Sequence, residues 1–242
     1  MIKFFRGPKS SYDVAQHGQG IYFATDTMEI LANGAAFTGA DDAHENVQSW
    51  NDVVGSVSEA FEKGGMVTLA EDMSSDKSFV VKSGISAVLD LGGHNISNTA
   101  KGGFCLTVEK GAELVISGNG KVEGGQGGDN LALVVYGDAK VESGHFHVGP
   151  DASGLGNACV EVNGGTLKIY GGTFECSDPY NGKYFVLNKK DKSDSTILVY
   201  GGTFINYDPS NSNTEDPAQN FVANGYKSVR IEGTNNYQVV KI

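Results

Sequence analysis

A ten-residue segment occurs twice in this chain, and it constrains the fold more than any other feature. Tyr170-Gly-Gly-Thr-Phe-Glu-Cys-Ser-Asp-Pro179 returns thirty residues later as Tyr200-Gly-Gly-Thr-Phe-Ile-Asn-Tyr-Asp-Pro209, with seven of ten positions identical. Weaker copies precede it, Leu114-Val-Ile-Ser-Gly118 and Lys140-Val-Glu-Ser-Gly-His-Phe146. A second set of short apolar runs accompanies the copies: Leu106–Val108, Leu133–Val135, Val160–Val162 and Phe185–Leu187, whose first residues are 27, 27 and 25 residues apart. Short strands, Gly turns and a period of about 20–50 residues specify a solenoid. Within a copy the residues alternate: Leu167 and Ile169 point one way, Lys168 and Tyr170 the other. A strand this short cannot bury its apolar side alone. Stacking puts Val160 over Leu133 over Leu106, with coils about 4.8 Å apart.

The expected fold is therefore all-β, a parallel β-helix. Glycine supports it: 34 of 242 residues, roughly twice the usual ~7%, with no Gly-X-Y period. Phe146, Phe174 and Phe204 hold equivalent places directly after a Gly turn and should form an inward ladder. A one-residue slip would bury Glu175 instead, which is costly without a partner.

Three segments follow from the pattern. Residues 1–34 hold a short strand at Ile2–Arg6 and a hairpin over Gly20–Gly34 with its turn near Asp26. This unit is small and aromatic, and an isolated hairpin is marginal in water, so it should need a partner. Residues 35–50 read as a polar linker. Residues 51–242 carry the solenoid, capped by a helix expected over Asp52–Lys63 with Asn51 as N-cap and Gly64-Gly65 as the stop. Val53, Val57, Ala60 and Phe61 give it one apolar face.

Charge narrows the partners. Lys+Arg is 18 against 29 Asp+Glu, a net −11, which disfavours nucleic acid and anionic membrane. The only arginines are Arg6 and Arg230. Cys105, Cys159 and Cys176 are odd in number and lack short spacing, so a reducing folding compartment is the simpler expectation. The first residues carry no apolar core typical of a signal peptide, and no later run is long enough to span a membrane as a helix.

Chemistry is sparse. Two carboxyl groups about 5–9.5 Å apart across a sugar would suit glycoside hydrolysis. Glu142 with Glu161, and Asp129 with Glu123, are the candidates, although any acidic β-helix carries such columns. There is no Asp-x-Asp cluster on a strand with a mid-helix arginine, as a calcium-dependent lyase would want. His145 and His147 should share the outer face if Phe146 points in, without a third metal ligand in sequence. Tyr170 and Tyr200 should stack outward one coil apart, as a possible glycan platform or a plain stabilising ladder. No catalytic residue, cofactor or metal is expected.

Two resemblances add to this reading. Ala60-Phe-Glu-Lys-Gly-Gly-Met-Val-Thr-Leu-Ala-Glu-Asp72 and Val88-Leu-Asp-Leu-Gly-Gly-His-Asn-Ile-Ser97 resemble the first coils of pectate-lyase-like right-handed β-helices of phage and gut-bacterial proteins. The Tyr-Gly-Gly-Thr-Phe copies and Phe221–Tyr226 resemble their later coils. Ile2-Lys-Phe-Phe-Arg-Gly7 and Gly20-Ile-Tyr-Phe-Ala-Thr-Asp-Thr27 resemble the N-terminal segment of phage head-fibre and tail-fibre proteins, especially of crAss-like phages. The resemblance implies a non-enzymatic virion structural protein assembled in the bacterial cytoplasm, usually a homotrimer. It would be anchored on a capsid or other virion protein by Phe4, Phe5, Arg6, Tyr12, Tyr22, Phe23 and Asp26, and would decorate the particle or adhere to host-surface glycan. The alternatives are a polysaccharide-degrading tailspike and a bacterial surface carbohydrate-binding module.

Overall fold

The computed structural model describes residues 54–150 and 157–242, together with two short strands before them. These are β1 (Ile30–Ala32) and β2 (Ala35–Phe37), paired antiparallel with Ile30 opposite Phe37. The stretch expected to be a polar linker therefore begins with a strand: Ala35-Ala36-Phe37 is an apolar run that finds a partner in Ile30-Leu31-Ala32. The strand expected at Ile2–Arg6, the turn near Asp26 and the proposed anchor residues Phe4, Phe5, Arg6, Tyr12, Tyr22, Phe23 and Asp26 lie outside the described residues.

Residues 65–204 form a parallel β-solenoid of about five turns. Each turn contributes one strand to each of three sheets. Sheet one holds β3 (Gly65–Thr68), β6 (Ser86–Asp90), β9 (Glu113–Ser117), β12 (Asp138–Val141), β15 (Thr166–Ile169) and β18 (Thr196–Val199). Sheet two holds β4 (Met73–Ser75), β7 (Ile96–Asn98), β10 (Lys121–Glu123), β13 (His145–Val148), β16 (Thr173–Cys176) and β19 (Thr203–Phe204). Sheet three holds β5 (Phe79–Val81), β8 (Phe104–Val108), β11 (Leu131–Val135), β14 (Ala158–Val162) and β17 (Leu187–Lys189).

The register is the one the repeat dictates. Leu106, Leu133 and Val160 align across sheet three, all fully buried. Phe146, Phe174 and Phe204 align across sheet two, also fully buried, with ring centroids 5.0 and 5.2 Å apart and planes within 10°. One strand differs. The run expected at Phe185–Leu187 begins its strand at Leu187, which pairs with Val160. Val186 N–H turns back to Tyr184 O, so Phe185 precedes the strand and packs with the small cluster of Leu131, Val134 and Ala158. Cys105 and Cys159 both align with Ala132 from opposite sides, which leaves them two coils apart, and all three cysteines are buried.

Helix α1 (Val57–Lys63) covers the first coil, against β3, β5 and β6, with Val57, Ala60 and Phe61 buried. It is shorter than expected and does not start at Asn51. Val54 N–H is already spent on Met66 O at 2.9 Å, which lays that residue alongside β3. Ser56 is the N-cap instead: its Oγ accepts the Glu59 N–H at 3.2 Å, in a Ser-x-x-Glu box. Gly64, at φ +89°, ends the helix as expected.

The far end was not legible as a cap. β20 (Tyr226–Arg230) and β21 (Tyr237–Lys241) form an antiparallel hairpin, and β21 pairs antiparallel with β19. Within Phe221–Tyr226, which resembled a further coil, Val222 makes one parallel bridge to Val199 and Tyr226 opens the hairpin.

Candidate functional site

The connections from sheet one to sheet two shrink to three residues from the third coil on: 118–120, 142–144, 170–172 and 200–202. Two glycine requirements make this tight corner possible. Gly144, Gly172 and Gly202 take φ of +111°, +98° and +101°, which a side chain resists. Gly171 passes so close to the previous coil that a Cβ would lie 2.4 Å from Glu142 O. Tyr170 N–H then donates to Val141 O at 2.8 Å, and Tyr200 N–H to Ile169 O at 2.7 Å. Glu142, Tyr170 and Tyr200 thus occupy one corner position in three successive coils.

Tyr170 and Tyr200 stack as the repeat required, with centroids 4.7 Å apart and planes within 5°. Tyr170 is 45% exposed. Tyr226 closes the far side of Tyr200 edge-on, at 5.4 Å and 90°. On the near side, Lys140 Nζ lies 5.1 Å from the Tyr170 centroid and 2.7 Å from Glu142 Oε1. The column runs Lys140, Tyr170, Tyr200, Tyr226. Each tyrosine spends a face on its neighbour, so this is not a row of open platforms. Lys140 and Tyr226 were missed in sequence. Lys140 was legible only as an outward residue two before Glu142, and Tyr226 belongs to the hairpin that carries no repeat.

A second cluster lies on the outer face of sheet two. Phe146 points in, so His145 and His147 point out, as expected. His147 Nδ1 lies 2.7 Å from Glu123 Oε1, and its Nε2 lies 2.8 Å from Ser177 Oγ. The Lys121 ammonium pairs with Glu123 Oε2. Burial opposes the Glu123 charge, but the His147 and Lys121 contacts outweigh it and hold its carboxyl below the ordinary range. His145 Nε2 is closed off from solvent without a hydrogen-bond partner, 3.3 Å from Glu175 Oε2. Burial and nearby Lys121 push the His145 imidazole below its ordinary value, against the pull of Glu175. Both His147 nitrogens are engaged, Nδ1 by Glu123 and Nε2 by Ser177, and the cluster ties β10, β13 and β16 together. Among the described residues, no group of three His, Cys, Asp or Glu is arranged for a metal ion.

The carboxylates considered for glycoside hydrolysis sit on different elements, the three glutamates with partners of their own. Glu142 follows β12 of sheet one and binds Lys140, while Glu161 sits in β14 of sheet three and accepts from Asn188 Nδ2 at 3.1 Å. Glu123 is held by His147 in sheet two, and Asp129 lies in the loop before β11. A scan against protein-family models and searches of curated proteins and of solved structures found no match to the chain.

Proposed function

We propose that this chain is a non-enzymatic structural protein of a phage particle, a head or tail fibre held to the virion through residues 1–34 and projecting the solenoid toward host-surface glycan. The observation that carries the adhesive part is the stacked Tyr170–Tyr200 column on the outside of a close-packed solenoid. Stacked rings are held in place before any ligand arrives, which lowers the ordering cost of binding. The fibre part rests on the N-terminal resemblance, with Phe4, Phe5, Tyr22 and Phe23 as the aromatic anchors.

The decisive experiment is incorporation. The full chain should co-purify with intact particles, and a chain lacking residues 1–34 should fold but stay off them. Incorporation of the truncated chain at the full-length level refutes the anchor. Light scattering of the full chain should give three times the monomer mass; a monomer at micromolar concentration, with incorporation intact, removes the homotrimer from the proposal.

A further inference from the structure

The tyrosine column leaves one ring face over. Tyr200 covers one face of Tyr170, and Tyr226 closes the far side of Tyr200. The other Tyr170 face looks back along the solenoid toward Glu142, in the same corner one coil earlier. Lys140 lies over that face. Lys140 and Glu142 are 43% and 44% exposed, so neither is fixed by packing. A flat ring stacked on Tyr170 would sit one inter-strand step back, about 4.8 Å, level with the Glu142 coil. The corner is aromatic for two coils, then turns acidic, with a lysine that can swing aside.

We infer that this face of Tyr170, rimmed by Glu142 and Lys140, is a subsite for one neutral hexopyranose unit of a glycan. The C–H face of the sugar lies on Tyr170. Glu142 accepts hydrogen bonds from sugar hydroxyls, and Lys140 leaves the ring to donate to a hydroxyl oxygen. Ionised partners make such bonds stronger than neutral ones. The Tyr200 stack fixes the Tyr170 ring before binding, so little rotamer freedom is lost. Glu142 and the net charge of −11 select against uronic acids and other anionic sugars. The inference rests on the adhesive role proposed above and adds the ligand class and its two polar contacts.

The test uses the full chain on an array of neutral gluco-, galacto- and manno-oligosaccharides beside uronic-acid oligosaccharides. At least one neutral series should bind and the uronates should not. Tyr170→Ala should weaken that binding at least tenfold. Glu142→Gln, on an exposed side chain, should weaken it severalfold with an unchanged unfolding temperature, which separates lost contact from lost fold. Binding of no neutral series overturns the subsite, as does neutral binding that survives Tyr170→Ala. Uronate binding lost in Tyr170→Ala overturns the ligand class. Particle incorporation reads the fibre role separately: incorporation without array binding sinks only the subsite, and Tyr170-dependent binding without incorporation sinks only the virion role.

Discussion

Phe174 is the residue whose loss the solenoid should feel most. It is fully buried in β16, between Phe146 at 5.0 Å and Phe204 at 5.2 Å, with both ring pairs within 10° of parallel. Truncating a buried Phe to Ala costs about 3–5 kcal/mol in transfer and cavity terms. Each aromatic pair adds about 0.5–1.5 kcal/mol beyond buried area, and Phe174 makes two where Phe146 makes one. Phe174→Ala should therefore fall near the upper end, about 5 kcal/mol, and Phe146→Ala below it. For a chain of this size, 3–5 kcal/mol corresponds to about 6–20 °C in Tm. Calorimetry measures the shift. Hydrogen exchange locates it, because repeats couple mainly to neighbours: amides of β13 and β19 should lose protection before those of α1. If Phe174→Ala melts with the wild type, or costs less than Phe146→Ala, the ladder does not carry the stacking energy assigned to it.

Three further outcomes follow from the geometry. Gly171→Ala puts a Cβ 2.4 Å from Glu142 O and should cost about 1–3 kcal/mol by denaturant titration, whereas Gly55→Ala meets nothing within 4 Å and should be neutral or slightly stabilising. Burial raises the Glu215 carboxyl above its ordinary 4.5 despite the Lys189 N–H it accepts at 3.0 Å. The folded state then binds the proton more tightly, so this group's contribution falls as pH rises above 4.5; Glu215→Gln should gain stability at pH 7 and lose that advantage at pH 4, and a loss at pH 7 contradicts the sign. His145, depressed first by burial, should titrate below 6.5 in an NMR pH series. Its unfolded form protonates first as pH falls through 6.5, so its contribution holds at pH 7 and declines below, and His145→Gln should flatten that decline.

The middle of the solenoid was legible because each position there answers to a neighbour of the same kind. Leu167 reads as inward from its alternation with Lys168 and again from Ala139 and Ile197 at the same place in adjacent coils. The ends have no such second witness. α1 is capped by Ser56 rather than Asn51 because Val54 pairs with Met66, a contact that no local pattern encodes. Phe185 reads as a strand residue from its apolar neighbours, and its carbonyl does accept the Cys159 N–H at 2.8 Å, but the Val186 N–H is spent on Tyr184 O, so the regular strand begins only at Leu187. At the candidate site, the Tyr170–Tyr200 stack was legible as a repeat, while the roles of Lys140 and Tyr226 depend on which side of the column they approach.

A repeat says how a solenoid grows, not how it stops, and an open last coil would expose three strand edges to pairing. This chain closes each edge by a different device. Sheet two is continued past β19 by the antiparallel strands β21 and then β20. At sheet one, Val199 N–H donates to Phe221 O at 2.8 Å, and its carbonyl accepts Ala223 N–H at 2.9 Å. At sheet three, side chains replace a strand. Thr214 Oγ1 donates to Leu187 O at 3.2 Å, the Tyr207 hydroxyl lies 3.2 Å from the same carbonyl, and Glu215 takes the Lys189 N–H. The last free edge is β20, and it carries Lys227 and Arg230, charges that resist pairing with another strand. Strand addition at the C-terminal end is therefore closed off by backbone, by side chain and by charge. Association of copies by strand addition at that end would have to displace one of these devices, so for the proposed anchor the incorporation of a chain lacking residues 1–34 is the discriminating measurement.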